Sequence, residues 1–94
     1  MSKYGTFYVV TVNPGVRPGR LKKFLLTEWF IALQSTSGCL DVELWESQRS
    51  RGRYLVCELW ENKDISLQNS EKLWNEEKKD VFETLNLYGT IKSD

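Results

Sequence analysis

A carboxylate inside an apolar helical run is the residue of this chain best placed to do chemistry. Projected at about 100° per residue, the run after Pro18 puts Leu21, Phe24, Leu25, Leu26, Trp29, Phe30, Ile31, Ala32 and Leu33 on an arc wider than half the circumference. Glu28 falls within that arc, beside Leu21, Phe24, Ile31 and Ala32. A carboxylate there is costly unless an ionic or hydrogen-bonding partner meets it, and burial lifts its pKa toward the range of a general base. A salt bridge to an arginine or lysine is the other outcome. Trp29, Phe30, Trp60 and Trp74 are the aromatic side chains able to wall a ligand cavity between helices and sheet, or, packed solid, to serve as core.

The chain has no histidine among its 94 residues, which excludes histidine-dependent acid–base and metal chemistry. No metal site is expected. Cys39 and Cys57 belong to no CxxC or Cys/His array and read as two free thiols. Thirteen basic residues balance thirteen acidic ones, so no long-range field favours nucleic acid or an anionic membrane. Arg49, Arg51 and Arg53 are candidates to hold a phosphate or carboxylate, or to form a solvated loop. An RNA-binding third strand would set aromatics where this chain has Arg53, Leu55 and Glu58, so the stacking platform is missing. The first residues lack a secretory apolar core, and no apolar run approaches the roughly 20 residues that cross a bilayer. The expectation is a soluble, cytoplasmic protein.

These side chains need elements to position them, and a chain of this length supports one domain over residues 1–94. Thr6 to Val12 reads as a strand stopped by Asn13-Pro14-Gly15, and Arg20 to about Ser35 as a helix entered through Pro18. Cys39–Glu46 and Arg53–Trp60 form a hairpin around a polar loop. Setting Leu44 opposite Leu55 pairs Val42 with Cys57 and Leu40 with Leu59, one uniformly apolar face for helices to cover. Cys39, Asp41, Glu43, Trp45, Tyr54, Val56, Glu58 and Trp60 then share the other face. In that register Asp41 opposes Glu58, an unfavourable like-charge pair unless it is wetted by solvent or bridged by cations, including those of a second subunit. The two cysteines lie on opposite faces. A second helical region begins near Asp64 and carries Trp74, Lys78, Val81, Phe82 and Leu85 on one stripe. Leu87 to Ile91 closes the chain as a strand, with Gly89 marking a bulge or a close backbone approach. The order is βαββαβ, an α+β ferredoxin-like domain with an antiparallel sheet. So small a domain would cover a sheet face left apolar with a second copy, as a homodimer.

Tyr8-Val9-Val10-Thr11-Val12, then Val16-Arg17-Pro18-Gly19 and Phe24, resemble the opening strand, helix entry and helix aromatic of the antibiotic biosynthesis monooxygenase family. Gly38 to Ser47 is similar to that family's second strand, and Tyr54 to Asn62, ending in Trp60-Glu61-Asn62, to its third. The resemblance implies a dimeric α/β barrel with two sheets face to face. It also implies a monooxygenase that needs neither metal nor flavin and deprotonates an electron-rich aromatic substrate whose carbanion reduces dioxygen directly. Its requirements are a base, a dry pocket and aromatic walls. In the heme-degrading branch a tryptophan like Trp60, an asparagine ending strand one and a helix histidine act together. Asn13 corresponds to the asparagine or is simply the turn residue before Pro14, and the histidine is absent, which disfavours that branch. Strand parity sets Trp60 away from the helices unless a bulge intervenes.

Two functions follow as expectations. One is cofactor-independent oxygenation of a small aromatic or hydrophobic substrate, with Glu28 as base and Asn13, Trp29, Phe30, Trp60 and Trp74 as ligand-binding residues. The other is a noncatalytic ligand-binding or protein-interaction module on the same barrel. An enclosed cavity with an acid or asparagine at its polar end favours the first. A pocket filled by Trp29, Phe30 and Trp74 favours the second.

Overall fold

The computed structural model describes residues 2–68 and 79–93. Strand β1 (Tyr4–Val12) leads through the turn at Asn13 into a helical stretch of three parts: α1 (Pro18–Phe24), a π-helical turn (Leu25–Trp29) and α2 (Phe30–Gln34). Strands β2 (Cys39–Glu46) and β3 (Arg53–Trp60) form the hairpin, α3 occupies residues 63–68, and α4 (Lys79–Tyr88) runs directly into β4 (Gly89–Ser93). The strands make one antiparallel sheet in the order β2-β3-β1-β4. That is the ferredoxin-like α+β arrangement. Trp74 and Lys78 lie outside the described residues.

The helical stretch does not follow the straight projection. The π-helical turn spends one extra residue, which sets everything after it back by on the order of 100°. The shift carries Trp29 and Leu33 onto the line of Leu21 and Leu25, all of them buried, and turns Ile31 out to 62% exposure. Glu28 goes out with it. Its side chain is exposed beside Lys23 and Thr27, so the burial expected of it does not occur.

The hairpin register also differs from expectation by one residue. Leu44 pairs with Val56, Val42 with Glu58 and Asp41 with Leu59, and a bulge between Cys39 and Asp41 then lets Cys39 meet Trp60. Tyr54, Val56, Glu58 and Trp60 therefore face the helices, joined on that side by Val42 and Leu44 of β2 and by Tyr8 and Val10 of β1. Both faces of β3 are apolar enough to be covered. The face with the larger side chains is the one the helices take, because it removes more apolar surface from water. The like-charge pair of Asp41 and Glu58 is consequently absent: the two point to opposite sides. So do the cysteines, with faces exchanged relative to expectation, Cys39 packing against the core and both thiols free.

The core lies between sheet and helices, around Val10, Leu21, Leu25, Trp29, Leu33, Tyr54, Val56, Trp60 and Leu85. At Gly89 a Cβ would come within 2.8 Å of Val10 Cγ1, so the expected close approach of backbone is real. Gly52 docks the hairpin loop against β1 and α1. Its φ is +83°, and a Cβ there would run into Val12 Cγ1 and come within 3.3 Å of Pro18 Cγ. Gly15 shares the φ of +83° but would meet nothing within 4 Å. We expect Gly15→Ala to cost about 1 kcal/mol from backbone conformation alone, and Gly52→Ala to cost about 2 kcal/mol more than that, because Val12 must also move. Urea denaturation of the two variants checks the difference.

Candidate active site: a buried carboxylate held by tyrosine and tryptophan

Strand alternation brings Thr6, Tyr8, Glu58 and Trp60 to the covered face, with Thr6 directly opposite Glu58 and Tyr8 opposite Val56. The helix lowers Trp29 onto them. The Trp29 indole N–H donates to Tyr8 Oη at 2.7 Å, and the Tyr8 hydroxyl donates in turn to Glu58 Oε2 at 2.6 Å. Glu58 Oε1 accepts from Trp60 Nε1 at 3.0 Å and from Thr6 Oγ1 at 3.4 Å. One carboxylate, 9% exposed, thus gathers three donors from β1 and β3 and reaches the helix through a phenol.

Burial is the largest influence on Glu58 and raises its pKa above the ordinary 4.5, while the bonds from Tyr8, Trp60 and Thr6 pull it partly back. Desolvation likewise lifts the Tyr8 phenol well above its usual value, and the Glu58 charge beside it adds to the effect. Cys39, across from Trp60, is pushed up first by burial and then by the same charge. The arrangement suits a proton acceptor that binds a proton more tightly than a carboxylate in water.

Trp29 and Trp60 are brought together here through Glu58 and Tyr8, and Trp60 faces the helices rather than away from them. Phe30 is buried in the same core. Asn13 is not part of the group. Its amide Nδ2 donates to Asn86 O at 2.8 Å and Leu87 O at 3.3 Å, and its Oδ1 accepts from Thr90 Oγ1 at 2.7 Å. Seven residues of strand separate it from Thr6, roughly 23 Å. It ties the end of β1 to α4 and β4. Glu58 itself went unnoticed in the sequence as a candidate, although it alternates with Tyr54, Val56 and Trp60, three large apolar residues on one face. Among the described residues, no cluster of three or more His, Cys, Asp or Glu side chains is able to hold a metal ion. Among the same residues no helix is long and apolar enough to cross a membrane.

The sequence pattern of the antibiotic biosynthesis monooxygenase family matches residues 6–72, a span that contains the helical stretch, the hairpin and every member of this network. The chain belongs to the antibiotic biosynthesis monooxygenase family. Solved structures with the same fold include SnoaB, a cofactor-independent oxygenase from Streptomyces nogalater, at 10% identity and a TM-score of 0.79, covering 100% of this chain and 90% of that one. A conserved Bacteroides thetaiotaomicron protein described as a possible oxidoreductase is 17% identical with a TM-score of 0.75, over 99% and 94% of the two chains. A Pseudomonas aeruginosa protein is 22% identical with a TM-score of 0.70, over 100% and 92%. No curated protein matches. In this member of the antibiotic biosynthesis monooxygenase family, the helix-covered face of the sheet holds its carboxylate on β3.

The raised pKa of Glu58 has a sign that is testable. The folded state holds the proton more tightly than the unfolded chain, so the contribution to stability is greatest below pH 4.5 and is lost as pH rises from there through the folded pKa. The stability of Glu58→Gln relative to wild type should therefore increase with pH across that window, as read by urea denaturation from pH 3.5 to 8. A difference that stays flat contradicts the burial argument.

Proposed function

We propose that the domain is a cofactor-independent monooxygenase acting on a small, electron-rich aromatic or hydrophobic substrate bound on the helix side of the sheet. The observation that carries this reading is the Glu58 carboxylate, buried among Tyr8, Trp29 and Trp60 with its basicity increased. Glu58 takes the proton from an activated C–H of the substrate, and the electron pair left on carbon reduces dioxygen. For a substrate methylene the balance is one methylene and one dioxygen giving one carbonyl and one water, with no external reductant. Once protonated, Glu58 donates to Tyr8 Oη, which frees the phenol's own hydrogen for another acceptor. Trp29, Phe30 and Trp60 supply apolar walls that keep the carbanion from bulk water. The fold shared with SnoaB supports the reading.

A second reading is a noncatalytic ligand-binding or protein-interaction module on the same scaffold. The near-complete burial of Trp29 and Trp60, at 1% and 0%, favours it, since side chains so enclosed behave as core. A thermal-shift screen against aromatic quinols and polycyclic phenols separates the two, because a ligand at 100 times its Kd adds about 2.7 kcal/mol of stability. For a ligand that shifts the melting point, oxygen uptake should fall at least ~100-fold in Glu58→Gln and stay at the wild-type level in Glu28→Gln. Wild-type uptake by Glu58→Gln removes Glu58 as the base. No shift with any aromatic supports the interaction module.

The working unit we propose is a cytoplasmic homodimer with the uncovered sheet faces packed together. Phe7 and Trp45 are 59% and 60% exposed on that face, next to Val9, Leu55, Cys57 and Leu59, a patch that a second copy would bury. Two free thiols suit a reducing compartment. Sedimentation equilibrium should give a dimer for the wild type and at least ~10-fold weaker association for Phe7→Glu, which brings an uncompensated charge into the contact. A wild-type monomer at every concentration rules the dimer out.

A further inference from the structure

The docking of Gly52 on Val12 and Pro18 also transports a charge. The Val12 N–H donates to Gly52 O at 2.7 Å, and the Tyr54 hydroxyl donates to Pro18 O at 3.1 Å. These contacts hold the hairpin loop against the start of α1, and Arg51 arrives there with it. Arg51, Arg17 and Arg20 then line one open groove of about 820 Å³, with Pro18 and Gly19 between them. The Arg20 guanidinium stands 5.7 Å over the Tyr88 ring, which steadies it.

The three guanidinium groups come from two separate segments, in a chain whose net charge is zero. Among the described residues no Asp or Glu forms an ion pair with any of them or lines this groove; Glu28 shares a different groove with Arg20, and the acidic residues that form ion pairs, Glu46 and Glu83, pair with Lys22 and Lys79. Gathering like charges without a carboxylate is unfavourable, and an oxyanion accepting from several guanidinium forks reverses the sign of that interaction. The groove is open to solvent, so a ligand whose anionic group is held by the arginines can extend beyond it without a clash.

We propose that this groove is a binding site for the phosphate or pyrophosphate group of an organic ligand. It is separate from the Glu58 network: Arg51 precedes Glu58 by seven residues of mostly extended chain, roughly 20 Å. The site does not depend on whether the domain turns over a substrate.

Titrating inorganic pyrophosphate into ¹⁵N-labelled protein, at an ionic strength held constant with KCl, tests it through the arginine Nε–Hε resonances. Saturable shifts are expected for Arg17, Arg20 and Arg51 and not for Arg49. Arg51→Gln should weaken binding roughly tenfold, and Arg49→Gln should leave it unchanged. Because Arg51 is exposed, its variant keeps the wild-type melting point, so loss of binding is not loss of fold. Shifts that grow linearly and equally at every arginine, or a dissociation constant unaffected by Arg51→Gln, overturn the proposal. Tighter binding of single-stranded RNA, weakened equally by the Arg49 and Arg51 substitutions, also overturns it and assigns the charge to nucleic acid.

Discussion

The Glu58 carboxylate must be satisfied where little water reaches it, and much of the architecture is arranged around that requirement. An ionised carboxylate left without partners beneath the helices would oppose folding by several kcal/mol. Three donors meet it, from Thr6, Tyr8 and Trp60, and they depend on two separate pieces of geometry. Thr6 and Tyr8 depend on the pairing of β1 with β3. Trp60 depends on unbroken alternation along β3. Tyr8 is itself held by Trp29, whose direction depends on the π-helical turn.

Two local irregularities therefore serve one end. The π-helical turn rotates Trp29 inward and Glu28 outward, and the bulge at the start of β2 lets Cys39 meet Trp60 while Val42 and Leu44 remain under the helices. Without the first, a straight helix would turn the wrong carboxylate toward the core. Without the second, either Cys39 or Val42 would have to face the other way. Irregularities of this kind are known to concentrate where a fold positions functional side chains.

The opposite face of the sheet has a different logic. Phe7, Trp45, Leu55 and Leu59 form a surface with no helix over it among the described residues, while Tyr8 of β1 and Tyr54 and Trp60 of β3 lie on the covered side. Apolar residues on both faces of β3 make the strand ambiguous when it is read alone, and this ambiguity is the reason the register expected from alternation is off by one residue. Uniform apolarity of one face is a weaker guide than the size of the side chains that a face buries.

The element order, the antiparallel hairpin, the two free thiols and the family are legible in the sequence, because alternation, turn residues and the Tyr54–Asn62 pattern are local and survive in one dimension. The sequence also singled out Trp29 and Trp60 as aromatics able to wall a cavity. Which acid is buried, and on which face, follows only from contacts made in the folded chain. Glu28 and Glu58 each sit among apolar neighbours in sequence, and choosing between them took a helical phase and a strand register that depend on contacts between β1, β3 and the helices. Asn13 shows the same limit: its position at the end of β1 was legible, but its ties to Asn86, Leu87 and Thr90 join residues more than seventy positions apart. Pairing over such separations is set by how the whole sheet closes, and no local pattern carries it.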